Sequence, residues 1–158
     1  MERNRWKPYL FWIVFSEAVG ALAAFFTRNS MELYRTAIEK PPLSPPAIVF
    51  PIVWAILYLL MGVGAARVWI VSEQKERIPH LIAFLAQLSA NFLWSIVFFN
   101  LRAFGAAFFV LLGLWVLILW MIVRFRKIER TAALLQIPYL VWVTFAGYLN
   151  LGVWLLNR

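Results

Sequence analysis

Long uncharged stretches separated by short charged connections set the pattern of this chain. Ala47–Ala66, Leu81–Leu101, Ala103–Val123 and Thr131–Asn157 contain no Asp, Glu, Lys or Arg, and Pro8–Thr27 is interrupted only by Glu17. A bilayer core about 30 Å thick needs about 20 apolar residues per helix, so each stretch is long enough to cross. The pattern predicts an all-α integral membrane protein, a single-domain bundle of five transmembrane helices over residues 8–27, 46–67, 80–101, 103–124 and 131–156. In the first connection Met31–Ile38 has apolar residues at helical spacing, which predicts a short surface helix ending at Lys40-Pro41-Pro42. Pro45 and Pro46 are expected at the start of the second helix, where a missing N–H costs nothing. Pro138 lies inside the last apolar run and predicts a kink there or a helix that starts nearby.

Composition agrees with that pattern. Of 158 residues, 64% are hydrophobic and 14% charged, against about 45–50% apolar in soluble domains. With no cysteine, disulfides, thiolate nucleophiles and Cys-based metal sites are excluded. The net charge of +8 does not point to nucleic acid, because the basic residues sit at helix ends, where they snorkel and set topology. Arg3, Arg5, Lys7, Arg67, Lys75, Arg77, Arg124, Arg126, Lys127 and Arg130 fall on one side, against Arg28, Arg35, Lys40, Arg102 and Arg158 on the other. In a bacterial cell membrane the N-terminus is then expected in the cytoplasm. The basic residues before the first apolar run and Ala21-Leu22-Ala23 also fit a cleavable signal. The run continues through Phe25 and Phe26, however, and contains Glu17, so a retained helix is expected.

Polar side chains inside a membrane helix need partners and mark the bundle interior or a cavity. Three stripes carry them or run beside them. Helix three presents Gln87, Asn91, Trp94 and Phe98 on one face, helix five Tyr139, Trp142, Ala146 and Asn150, and helix two Phe50, Trp54, Tyr58 and Met61. Turned together they would line a cavity for a large planar ligand; turned into the core, the rings fill space and the amides bond between helices. Trp6, Trp12, Trp69 and Trp154 are expected as interfacial anchors near helix ends. Ser16, Gly20 and Ala24, and Ala86 with Ala90, are small residues spaced for close helix approach, within the bundle or in a dimer. Glu17 is the single acidic residue in a span and, without a second acidic partner in another helix, gives only thin support for proton or ion movement; the lone His80 makes no metal site by itself. No nucleophile, triad or phosphate loop is present.

Several ordered motifs carry a family resemblance: Lys40-Pro41, Pro45-Pro46, Phe50, Trp54 and Leu57-Tyr58; Asn91-Phe92-Leu93-Trp94-Ser95 with Phe98-Phe99; Pro138-Tyr139-Leu140, Trp142, Phe145-Ala146 and Tyr148-Leu149-Asn150. Across nearly its whole length the chain resembles the translocator protein family, also called tryptophan-rich sensory proteins or peripheral benzodiazepine receptors. The resemblance implies a homodimeric five-helix bundle with membrane lipid around it. Its pocket, near the first loop, would bind protoporphyrin IX, haem or benzodiazepine-site ligands, with no cofactor or metal required. It implies pocket residues at Trp54, Asn91, Trp94, Trp142 and Ala146, joined on the same stripes by Tyr58, Gln87, Phe98, Tyr139 and Asn150, and a lid at Tyr34, Arg35, Lys40 and Leu43. Some bacterial relatives degrade protoporphyrin IX in light, which would make Trp54 and Trp142 catalytic; transport of porphyrin or another amphiphile is a further alternative. The chain departs from the pattern at Leu43, where the family has tryptophan, and at Tyr34-Arg35, where it has an aromatic pair. A sterol motif is not supported, since the next basic residue after Tyr148 is Arg158.

Overall fold

In a computed structural model, which describes residues 4–158, the chain is all-helical with five helices long and apolar enough to cross a membrane. In chain order they are α1 (Trp6–Ala37), α2 (Val49–Val71), α3 (Gln74–Ser95, continued by a π-helical turn Ile96–Asn100) and α4 (Phe104–Ile128). The last crossing is broken into α5 (Arg130–Leu134) and α6 (Ile137–Leu156). Large apolar side chains such as Phe11, Val14, Leu22, Phe109, Val116 and Val141 stand on the outer surface, the face an integral membrane protein presents to lipid. Arg3, counted above for orientation, lies outside the described residues.

Two expectations about boundaries and one about burial need correction. The surface helix over Met31–Ile38 is not separate: α1 runs unbroken through it to Ala37. No Gly or Pro interrupts Arg28-Asn29-Ser30, and the Ser30 hydroxyl is drawn outward to Asn100 Oδ1 at 2.7 Å instead of competing for its own backbone. Pro45 and Pro46 fall in the connection rather than in α2, which begins at Val49 with its N–H on Pro46 O; Pro51 occupies the first turn, where no donor is missed. Trp12 is not an interfacial anchor but is 7% exposed, edge-on to Phe84 and against Trp69. Pro138 marks a helix start, at the head of α6.

That break is held from two sides. The Glu129 carboxylate caps α5, accepting from the N–H groups of Thr131 and Ala132, and grips Arg67 of α2 with contacts of 2.7 and 3.2 Å. Gln136 reaches from the turn to Leu60 O at 3.1 Å, so α2 carries both ends of the short helix.

Close pairs are α1 with α2, α3 with α4, and α4 with α6. Contact of α1 with α2 depends on missing side chains: a Cβ on Gly62 would lie 2.5 Å from Ile13 Cα, and one on Gly20 2.5 Å from the Tyr58 ring. Near the α2–α3 connection the core is solid, with Met61, Ala65, Val68, Phe84, Ile118, Met121 and Phe125 fully buried. Toward the α1–α2 loop, α2, α3 and α6 stand apart around a space.

Candidate ligand-binding site

That space is a cavity of about 600 Å³ walled by α1, α2, the α3 C-terminal turns and α6. The three aromatic stripes converge on it, and each is divided in the same way. Phe50, Trp54 and Tyr58 of α2, Trp94 and Phe98 of α3, and Trp142, Ala146 and Asn150 of α6 line the wall. Their continuations, Met61, Gln87, Asn91 and Tyr139, do not; they close the space from below.

Gln87, Asn91 and Tyr139, expected to touch ligand, instead form a buried chain of hydrogen bonds beneath the floor. Tyr58 OH donates to Asn91 Oδ1 at 3.1 Å, Asn91 Nδ2 to the Tyr139 oxygen at 2.7 Å, and Tyr139 OH to Gln87 Oε1 at 2.7 Å. Gln87 Nε2 ends the chain on Met61 Sδ at 3.9 Å. Sequence periodicity put these residues on the right faces; only depth separates floor from wall, and depth depends on how far the helices splay. The chain spans α2, α3 and α6, so it ties together three helices that the cavity holds apart.

Most polar groups of the wall are already engaged. Trp94 Nε1 donates to Asn150 Oδ1 at 3.0 Å, Asn150 Nδ2 to Phe104 O at 2.8 Å, Thr27 Oγ1 to Ala23 O at 2.8 Å and Ser95 Oγ to Asn91 O at 3.3 Å. The Trp142 indole N–H is different: it is buried with no acceptor among the described residues. Rings supply the rest. Trp54 lies 6.5 Å from Trp94 and 5.7 Å from Tyr58, Trp94 stacks on Phe98 at 5.3 Å, and Trp142 meets Phe50 edge-on at 5.9 Å. An occupant would therefore meet flat, polarizable faces and few free polar groups.

The lid divides as well. Tyr34 and Arg35 line the cavity, Lys40 and Leu43 do not. Lys40 Nζ donates to the carbonyls of Arg35 and Ile38 at 3.2 and 3.4 Å and stands 5.0 Å over the Tyr34 ring, so it closes the end of α1. Leu43 has a positive φ of 68° and is 83% exposed. The loop is fastened to α6: Asn157 exchanges two hydrogen bonds with the Glu39 backbone, Tyr148 OH donates to Pro42 O at 2.7 Å, and Pro41 packs where Gly152 has no Cβ.

Several parts of the wall escaped the sequence reading: Ala47, Ile48, Pro51, Ser95 and Leu149, and the α1 residues Gly20, Ala23, Ala24, Thr27 and Met31. For α1 the signal was the small-residue stripe of helix one, taken as a surface for close approach; small side chains opposite aromatic stripes also leave a void. Phe99, in the π turn beside Phe98, also lines the cavity. Glu17 stays half-buried on α1 and belongs to neither ion pair found among the described residues.

Residues 12–155 match the TspO/MBR family pattern. The chain belongs to the TspO/MBR family. It is 36% identical over 141 residues to the tryptophan-rich protein TspO of Chlorobaculum tepidum, covering 89% of each chain. It is 34% identical to the tryptophan-rich sensory protein of Cereibacter sphaeroides, covering 92% of this chain and 90% of that one. The translocator protein of Bos taurus is 30% identical over 155 residues, covering 97% and 92%.

Proposed function

We propose that this TspO/MBR family member is a membrane receptor that binds a planar tetrapyrrole, protoporphyrin IX or haem, or a benzodiazepine-site ligand between α1, α2, α3 and α6. The observation that carries this reading is the cavity itself. At about 600 Å³ it falls in the range of small-molecule sites, about 300–1,000 Å³, and its wall offers Trp54, Trp94 and Trp142 as stacking faces. The names of relatives as sensory and translocator proteins fit a binding role. The same proposal sets a homodimer in a bacterial cell membrane, surrounded by lipid and with no nucleic-acid partner. Its N-terminus would be cytoplasmic, an orientation supported by the basic excess on that side.

Quenching of tryptophan fluorescence by protoporphyrin IX, titrated in the dark on purified protein, tests the site. Trp142→Ala is expected to weaken binding about two- to tenfold, the scale of one lost aromatic contact. Unchanged affinity in that variant would sink the pocket assignment. Illuminated samples run in parallel separate binding from breakdown: faster loss of porphyrin absorbance with wild type than with Trp54→Phe would make the protein an enzyme in light. Porphyrin flux into proteoliposomes would make it a transporter.

A further inference from the structure

Arg35 is the only charged side chain in the cavity wall among the described residues. Of the other cations on that side of the bundle, Arg102 and Arg158 do not line the cavity, and Lys40 and Arg28 are engaged elsewhere. Lys40 is spent on the carbonyls at the end of α1 and the Tyr34 ring, and the Arg28 guanidinium lies 4.1 Å over the Phe25 ring. Arg35 has a single side-chain partner among the described residues, Glu32 Oε2 at 3.2 Å one turn earlier, and both side chains are well exposed, at 57% and 66%. A solvated pair of this kind is weak and easily exchanged. A guanidinium has five donors in a planar fork, and this bond uses one of them. Every other group of the wall is apolar, aromatic or a neutral polar side chain.

Resting on the tetrapyrrole-type reading above, we infer that Arg35 makes the mouth of the cavity selective for planar ligands that carry a carboxylate, with Glu32 as the internal counter-ion the ligand must displace. The ring system stacks on the tryptophans and a peripheral carboxylate reaches Arg35, as a two-oxygen acceptor suited to its fork. Glu32 opposes this twice, by holding the guanidinium and by repelling the incoming anion. Tyr34-Arg35 stands where the family resemblance expects an aromatic pair.

The test compares protoporphyrin IX with its dimethyl ester, which keeps the ring and removes both charges, on protein in phosphatidylcholine nanodiscs. Wild type is expected to prefer the acid, with a preference that shrinks as salt rises. Arg35→Gln should weaken the acid about five- to tenfold, the range for a partly solvated charge-assisted hydrogen bond, and leave the ester unchanged. Arg35→Lys should restore part of the acid preference as a point charge, and Glu32→Gln should tighten the acid alone. Equal loss of acid and ester in Arg35→Gln, or no acid preference in wild type, overturns the inference while leaving the pocket in place. Failure of the pocket reading looks different: Trp142→Ala leaves both affinities untouched. Nanodiscs containing phosphatidylglycerol form the last arm. If anionic lipid abolishes the effect of Arg35→Gln, the mouth is a lipid-headgroup site and the inference falls; if the effect persists, the planar acid is the occupant.

Discussion

The two ends of this bundle are built from the same helices and yet have opposite interiors. Toward the α2–α3 connection, side chains of all sizes close the space: Ala65, Ala66, Ala83, Ala132, Val68, Ile118, Met121 and Phe125 are all fully buried. Toward the α1–α2 loop, large rings meet without filling it, and about 600 Å³ remains. There the rings of α2, α3 and α6 face the small α1 residues Gly20, Ala23 and Ala24, which do not reach across to fill the space. At the boundary lies the hydrogen-bonded chain from Tyr58 through Asn91 and Tyr139 to Gln87. Those polar bonds keep α2, α3 and α6 together where no close packing does, each contributing about 0.6 kcal/mol in membrane proteins.

Deleting bulk should therefore cost stability at one end and ligand at the other. Phe125→Ala leaves a cavity in a close-packed wall and is expected to destabilise the protein by about 3–5 kcal/mol, read as unfolding of purified protein in detergent. Porphyrin affinity per folded molecule should not change. Trp54→Ala removes a half-buried side chain that already borders empty space, so its stability cost should be about half as large and its effect on binding greater. Equal destabilisation by the two would erase the distinction between a solid and a hollow end.

Adding bulk at the solid end is the next largest perturbation. Gly62→Ala sets a methyl 2.5 Å from Ile13 Cα and 2.8 Å from Trp12 O, contacts with backbone that cannot rotate away. Overpacking of this kind costs about 1–3 kcal/mol. The atoms nearest a Gly20→Ala methyl all belong to the Tyr58 ring, a side chain of the cavity wall, so this change should alter ligand affinity more than the unfolding transition. A larger stability loss at Gly20 than at Gly62 would contradict this.

The ion pair at the solid end has a pH signature. The Arg67 guanidinium, helped by the Thr131 and Ala132 amides, holds the Glu129 carboxyl down at about 2 from an ordinary 4.5. A carboxylate held below its unfolded value stabilises fully above that value and loses its contribution as pH falls through the folded one. The contribution is thus complete above about pH 4.5 and disappears as pH falls toward 2. Glu129→Ala is expected to cost about 1–2 kcal/mol at neutral pH, through the lost cap and charge-assisted bonds. The gap from wild type should narrow in thermal unfolding repeated at pH 3, and a gap that stayed constant would mean the pair is idle.

How much of this was legible in the sequence follows the same division. Helix number and the faces of the three stripes were readable, because an uncharged run and a period of 3.6 are one-dimensional features. The division of those stripes into wall and floor was not. Whether Asn91 meets a ligand or Tyr139 depends on helix separation at that depth, and separation is set by pairs such as Gly20 with Tyr58 that are far apart in sequence. Phe99 was passed over because it lies one position off the stripe that carries Trp94 and Phe98. The continuity of α1 past Arg28 was missed for another reason: charge ends a membrane run but does not end a helix. The role of Glu129 was equally unreadable, since its partner Arg67 belongs to another helix.

The smallest effect concerns the fastening of the lid. Asn157 Oδ1 accepts from Glu39 N at 3.0 Å, and its Nδ2 donates to Glu39 O at 2.8 Å, a reciprocal pair that ties the α1–α2 connection to the end of α6. These bonds are exposed, so water can replace them. Asn157→Ala should lower global stability by less than about 1 kcal/mol. What it releases is local: with Pro41 and Tyr148 as the remaining contacts to α6, backbone amides near Glu39 should exchange hydrogen faster while those of α2 and α4 stay protected. A lid that opens more often admits and releases ligand at rates raised by the same factor, because opening alters the barrier and not the bound contacts. Stopped-flow quenching should then show both rates increased and Kd nearly constant. A changed Kd with unchanged rates would mean that the loop is part of the binding surface, and the hollow end would have to be redrawn to include it.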